Sequence, residues 1–157
     1  MGLDMYLNRK IYVKKWAHQK SPTNVKVTVN KTRRPDIDTD KLAFIEEEAV
    51  YWRKANAIHK WFVDNVQDGN DDCKEYFIST EDAIDLMQTC QRVLNDHSLA
   101  PKLLPTESGF FFGSTDYDEW YYKDLEDTVK GIGDVLDRMK LAPEECSQGS
   151  LYYTASW

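Results

Sequence analysis

Residues 50–63 read Val-Tyr-Trp-Arg-Lys-Ala-Asn-Ala-Ile-His-Lys-Trp-Phe-Val, and their periodicity decides how the middle of the chain is expected to fold. At about 100° per residue, Tyr51, Ala55, Ile58, Phe62 and Val66 form one apolar stripe, the core face of an amphipathic helix. Arg53, Asn56 and Lys60 fall opposite, bordered by Trp52, His59 and Val63 on one edge and by Val50 and Trp61 on the other. Tryptophans on both flanks imply that neighbouring elements cover the helix, which makes the polar strip a candidate pocket lining. Lys54 is turned about 100° from Arg53 and lies off the strip. The acidic run Glu46-Glu47-Glu48 suits the positive end of a helix dipole, so the reading starts this helix at 44–47 and stops it at Gln67-Asp68-Gly69.

Toward the N-terminus, Leu3, Met5 and Leu7 alternate with Asp4 and Tyr6, a strand that runs on less regularly through Ile11, Val13 and Trp16. The loop Ser21-Pro22-Thr23-Asn24 leads to Val25-Lys26-Val27-Thr28-Val29, whose β-branched alternation predicts an antiparallel hairpin partner for that strand. The charged stretch 30–40, with Arg33-Arg34-Pro35, reads as an exposed connection. Toward the C-terminus, residues 75–78 predict a short strand, and Ser79-Thr80-Glu81-Asp82 caps a helix to about Leu94, with Ile84, Met87, Cys90 or Gln91, and Leu94 inward. Pro101 and Pro105 bracket a loop, and Gly109-Phe110-Phe111-Phe112-Gly113 predicts a buried strand. A helix capped by Thr115 or Asp116 then carries Tyr121, Leu125, Val129, Ile132, Leu136 and Met139 on one face, with Gly131 and Gly133 weakening it by about 1 kcal/mol each relative to Ala. The alternating tail 151–157 predicts a last strand ending in a buried or pocket-facing Trp157. Together these elements give a single domain, 1–157, of the α+β class: a mostly antiparallel sheet with about three helices packed on it.

Hydrophobic residues make up 41% and aromatics 13% of the 157 residues, enough for a core without metal or disulfide support. The formal net charge of -7 argues against a general duplex-binding surface, which needs clustered Lys and Arg. Cys73, Cys90 and Cys146 are odd in number and widely spaced, which predicts free thiols, no metal clip and a reducing, cytoplasmic setting. With no signal pattern and no run of 18 apolar residues, no membrane attachment is expected. Met1-Gly2 lacks the Ser or Thr that N-myristoylation wants where this chain has Tyr6.

The strip Arg53, Asn56, Lys60, edged by Trp52 and His59, is the leading candidate binding site. Two cations and an amide on one face can hold an anion by charge-assisted hydrogen bonds, while Trp52 or Trp61 stacks on a planar group. The alternative is a solvated face on which Lys60 pairs with Asp64. His59 is a candidate general acid or base by residue type, although no HxH, HExxH or His-Asp spacing accompanies it. Residues 64–75 imitate a calcium loop with Asp64, Asp68, Gly69, Asp72 and Glu75 at positions 1, 5, 6, 9 and 12, but Val66 occupies position 3, where an oxygen is needed, and an acidic turn is the expectation. The segment Tyr117-Asp118-Glu119-Trp120-Tyr121-Tyr122 offers a stacking platform or an acidic docking surface, or simply starts a helix. No metal or cofactor is implied.

Four segments carry a resemblance: Met-Gly-Leu-Asp-Met-Tyr-Leu at 1–7, Tyr-Trp-Arg-Lys-Ala-Asn-Ala-Ile-His-Lys-Trp-Phe-Val at 51–63, Gly-Phe-Phe-Phe-Gly-Ser-Thr-Asp-Tyr-Asp at 109–118 and Tyr-Tyr-Thr-Ala-Ser-Trp at 152–157. Together they resemble a family of small bacteriophage and prophage proteins without an established activity. The resemblance implies a setting in the host cytoplasm, where such proteins block a defence, bind a defence signal or modify host metabolism. The expected function is a non-enzymatic accessory protein that counters host defence, either by sequestering a nucleotide-like signal or by docking on a defence protein. Its partners would be an anionic small molecule or a host defence protein, with self-association left open. Two rivals stand beside it: a small enzyme in which Arg53 and Lys60 hold phosphate and His59 or Asp4 handles a proton, and a structural interaction domain.

Overall fold

Leu3, Met5 and Leu7 are fully buried, and the strand that carries this alternation, β1 (Asp4–Tyr12), forms the middle of the sheet. It pairs antiparallel on one side with β4 (Phe44–Arg53) and on the other with β6 (Ser150–Ser156). A short β5 (Tyr76–Ile78) pairs with β6 and completes the order β4-β1-β6-β5. Between β1 and β4, β2 (Thr28–Val29) and β3 (Thr32–Arg33) form a separate hairpin. The computed structural model describes residues 2–14, 16–18 and 24–157; the loop residues 21–23 lie outside them. Among the described residues there are four helices, α1 (Asn56–Asn65), α2 (Thr80–Asn95), α3 (Ala100–Leu103) and α4 (Glu119–Lys140), so the class is α+β, as the sequence led us to expect.

The expected long helix from residue 44 to 67 is instead a strand followed by a helix. Across β1 and β4, Met5 faces Trp52 and Leu7 faces Val50, while the three glutamates lie opposite Asn8, Arg9 and Lys10. Cross-strand pairing of this kind outweighs a helix-dipole preference of a few tenths of a kcal/mol. The register shifts between Leu7 and Asn8, leaving Ala49 as the extra residue of a bulge. The shift puts Glu47 on the covered side, where it meets the buried Arg9 at 3.2 Å and Arg138 of α4 at 2.8 Å. Strand and helix part at Lys54, whose φ of 60° lies in the left-handed region and continues neither.

Three other expectations are corrected. Val25–Val29 does not join β1, both of whose sides are already occupied by β4 and β6; only Thr28 and Val29 pair, across a turn made by Asn30 and Lys31 at φ 50° and 64°. Residues 109–113 form a turn rather than a strand: the Phe112 amide donates to the Gly109 carbonyl, Phe110 is 95% exposed and Gly113 sits at φ 86°. Trp157 is 37% exposed, resting against Phe112 and His59 rather than in the core.

The helices cover one face of the sheet. Ser79 and Asp82 form a reciprocal capping box on α2. Asp118, not Thr115 or Asp116, caps α4 by accepting from the Trp120 and Tyr121 amides. The α4 core face is close to the expected one, with Tyr121, Leu125, Ile132, Leu136 and Met139 buried, joined by Thr128 and Val135. The other face of the sheet is open and displays Tyr6, Tyr51, Tyr12, Phe44, Tyr152 and Phe77, which pair with one another as rings.

The two α4 glycines have different reasons to be there. A Cβ on Gly131 would stand 2.6 Å from a Val50 methyl, so this glycine sets the closest approach of helix to sheet, whereas one on Gly133 would meet nothing nearer than Met87 Sδ at 3.8 Å. Gly133→Ala should stabilise the fold by about 1 kcal/mol through helix propensity. Gly131→Ala should lose about 1–3 kcal/mol to overpacking despite the same propensity gain. Urea denaturation of both variants checks this, and equal effects of the two substitutions would contradict it.

Candidate functional site

Because β4 ends at Arg53 and α1 begins at Asn56, the five expected site residues occupy four different environments. Trp52 points into the core, where its indole N–H donates to Thr128 Oγ1 at 2.8 Å and its ring packs on Phe62. It is 3% exposed and has no face to offer a ligand. Asn56 is equally buried and spends its whole amide on the connection that follows α3. Its Nδ2 donates to the Phe112 and Ser114 carbonyls at 3.0 and 2.7 Å, and its Oδ1 accepts from the Glu107 amide at 3.0 Å. Asn56 thus pins residues 107–114 onto the start of α1.

His59, 1% exposed, has both ring nitrogens engaged. The Asp71 carboxylate can only accept, so Nε2–H donates to it at 3.0 Å; Nδ1 is bonded to the Tyr153 hydroxyl at 2.7 Å, as acceptor in the neutral ring. With Phe112 and Trp157 against the ring, this chain of bonds ties α1, β6 and the 68–73 turn together. The His59–Asp71 pair is twelve residues apart in sequence, and no spacing rule pointed to it. Lys60 sits one position on, but its ammonium meets Asp64 at 3.1 Å and Glu107 at 3.2 Å. Bonds to Asp64 and then Glu107 hold its pKa above the ordinary lysine value. It is a neutralised cation, in agreement with the solvated alternative.

Arg53 alone keeps the expected character, and Lys54 joins it. As a helical residue Lys54 would point away, but its left-handed backbone turns it to the same cleft. Among the described residues neither side chain has an ion pair or hydrogen bond. The cleft, of about 310 Å³, lies between this strand-to-helix corner and the first turns of α4. That is at the lower end of small-molecule sites, which run from roughly 300 to 1,000 Å³. Its floor includes the first turn of α1, which has no side-chain cap at Ala55 and no acid of its own to oppose the positive end of the helix dipole; the acids of the cleft, Asp116, Asp118 and Asp124, come from the facing wall. Gly113, whose Cβ would come within 3.1 Å of the Lys54 side chain, lets the pinned loop close one wall.

The facing wall comes from α4 and the residues just before it. Trp120 is 70% exposed at the mouth, and Asp124 lies one turn further on. Burial, followed by the nearby Asp127 and Asp118 carboxylates, raises the Asp124 pKa to about 7. Asp118 is committed as the α4 cap, whereas the Asp124 carboxylate has no hydrogen bond among the described residues. Asp124 escaped the sequence reading, yet a signal for it exists: an acid three residues after Tyr121 and four before Thr128, both buried, borders an inward face.

The acids of 64–75 do not converge. Asp64 goes to Lys60, Asp71 to His59, Asp72 to Lys74 and Tyr76, and Glu75 to Lys10. Among the described residues, no group of three or more His, Cys, Asp or Glu side chains is arranged to hold a metal. Cys73 and Cys146 are exposed and free, and Cys90 is a free core thiol whose pKa burial pushes up to about 12. Compared with protein-family models, curated proteins and solved structures, the chain finds no match.

The raised Asp124 pKa has a stability consequence. The folded chain keeps this proton up to about pH 7, whereas an unfolded chain with the ordinary value of 3.8 releases it earlier. The group's contribution to stability therefore falls as pH rises from about 4 to 7, and the full cost of the buried charge is present above that. Asp124→Asn should raise the Tm at pH 8, with the gain shrinking toward zero by pH 4. A gain independent of pH, measured by circular dichroism melts across this range, would contradict the assignment.

Proposed function

We propose that this chain is a binding protein for a small anionic ligand, held in the cleft between the Arg53–Lys54 corner and α4. The observation that carries the reading is that two adjacent cations line one cleft and, among the described residues, neither has an ion pair or a side-chain hydrogen bond. The chain has a net charge of -7, and Lys10, Lys60, Lys74, Lys123, Arg34 and Arg138 all have carboxylate partners. A left-handed, non-glycine residue at the same corner adds support, because such conformations cluster where function fixes the backbone. Taken with the resemblance to phage and prophage proteins, the cleft favours the sequestration form of the anti-defence reading, in which a nucleotide-like signal is removed by binding. The catalytic rival loses its proton-handling candidates at this place. His59 is sealed behind Tyr153 and Asp71, and Asp4 accepts from the Tyr51 hydroxyl on the open face of the sheet.

A second reading, docking on a host protein, is favoured by a different observation: Phe44, Tyr51 and Phe77 are 51%, 46% and 59% exposed on the open sheet face. Among the described residues, no helix is long and apolar enough to cross a membrane.

Calorimetric titration with nucleoside mono- and diphosphates tests the first reading. Arg53→Ala and Lys54→Ala should each weaken binding by about 1.5–3 kcal/mol, roughly 10- to 150-fold, with melting temperatures unchanged. Lys60→Ala should leave binding intact. Full binding by the Arg53 and Lys54 variants, or no nucleotide binding by the wild type, would shift support to the sheet face.

A further inference from the structure

The cleft has two walls of opposite charge, and a simple anion uses only one. Resting on the anion-binding reading above, we propose that the second wall selects a guanine base: the ring stacks on Trp120 and its Watson–Crick edge donates two N–H groups to the Asp124 carboxylate, while the phosphate sits at Arg53 and Lys54.

Three observations lead to this ligand. Trp120 and Asp124 both line the cleft and stand four residues apart on α4, hence on one face, with a rise of about 6 Å between them. A flat ring lying on the indole therefore presents its edge to the carboxylate. Trp120 is 70% exposed, and its backbone amide, not its ring, makes the only hydrogen bond shown for it, so the indole face is open to a stacking partner. Asp124 is partly buried, yet its oxygens have no protein donor among the described residues. A carboxylate taken partly out of water without a donor is costly, and a ligand bringing two N–H groups offsets that cost.

The chemistry of the bases then discriminates. An ionised carboxylate only accepts hydrogen bonds. Guanine offers two adjacent donors, N1–H and the exocyclic amine. Adenine sets a donor beside the N1 acceptor, whose lone pair would face carboxylate oxygen. A purely cationic ligand would satisfy Asp124 but meet Arg53 and Lys54 across the cleft, and a free amino acid would satisfy both charged walls but leave the indole face uncovered. Asparagine at 124, with one acceptor and one donor, matches adenine instead.

Calorimetry on the full chain at pH 8, where Asp124 is ionised, with GMP, AMP, glycine and inorganic pyrophosphate as probes, separates the outcomes. We expect GMP to bind at least tenfold more tightly than AMP. Asp124→Asn should abolish or reverse that preference while pyrophosphate binding and the fold persist. Trp120→Ala, a change at an exposed position, should weaken both nucleotides and spare pyrophosphate. Equal affinity for GMP and AMP, an unchanged preference in Asp124→Asn, or binding of glycine in place of GMP overturns the guanine assignment. If those results come with pyrophosphate binding that still requires Arg53, the anion cleft stands without it. If Arg53→Ala changes no probe, both fall.

Discussion

The antiparallel pairing of β4 with β1 is the constraint from which the rest follows. It places Val50 and Trp52 over Leu7 and Met5 on the covered face, gives Gly131 of α4 the methyl groups it packs against, and ends the strand at residue 53. With β1 flanked by β4 and β6, Thr28 and Val29 are left to pair with Thr32 and Arg33 in a small hairpin of their own. The one-residue bulge at Ala49 lets a single strand serve two purposes: apolar side chains inward beyond it, and Glu47 inward before it, where Arg9 and Arg138 compensate the carboxylate.

The parts of the fold visible in the sequence are those whose signals are local. The Ser79 cap, the α4 stripe, and the alternation of 3–7 and 151–156 all work within a few residues, and each became the element expected. The α2 helix formed where expected, but its buried face is Ala83, Leu86, Cys90 and Val93, with Ile84, Met87 and Leu94 only partly buried beside it and Gln91 exposed, because α4 packs on the neighbouring stripe. The boundary inside 44–67 was not legible, because Val50 to Val63 satisfies a helical period and its first half also satisfies a period of two. What decides between them is β1, some forty residues away, and no local pattern records that partner. The candidate site suffered for the same reason. Arg53 was recognisable from its charge and neighbours, but its companion Lys54 was assigned to the wrong side by the helical angle alone. Asn56 and His59 are polar groups consumed in holding loops, an outcome that depends on Phe112, Ser114, Tyr153 and Asp71, none of them near in sequence.

The division of labour along α1 explains why polar residues can occupy a nearly buried helix without being ligands. Six of its ten residues are buried, and two of those six, Asn56 and His59, are polar. The hydrogen bonds shown for Asn56 Oδ1 and Nδ2 and for both His59 nitrogens leave no polar atom of these side chains without a partner, which is the condition under which such groups can be buried. They position the loops at either end of the helix and so set the width of the neighbouring cleft, while Arg53 and Lys54, which among the described residues have no ion pair, lie just before the helix begins.

The glutamate run on β4 also bears on how the chain behaves at high concentration. β4 is an outer strand of ten residues, long enough to template the addition of another strand along its unpaired side. A second copy approaching it antiparallel would set its own Glu46, Glu47 and Glu48 near the first three. Arg9 and Arg138 already engage Glu47 on the covered face and are not free to neutralise new carboxylates, and Asn8, which bonds Glu46 on the open face, carries no charge. Like charges facing across a forming ladder oppose it, so the residues that imitate a helix start in the sequence act in the folded chain as gatekeepers against edge-to-edge aggregation.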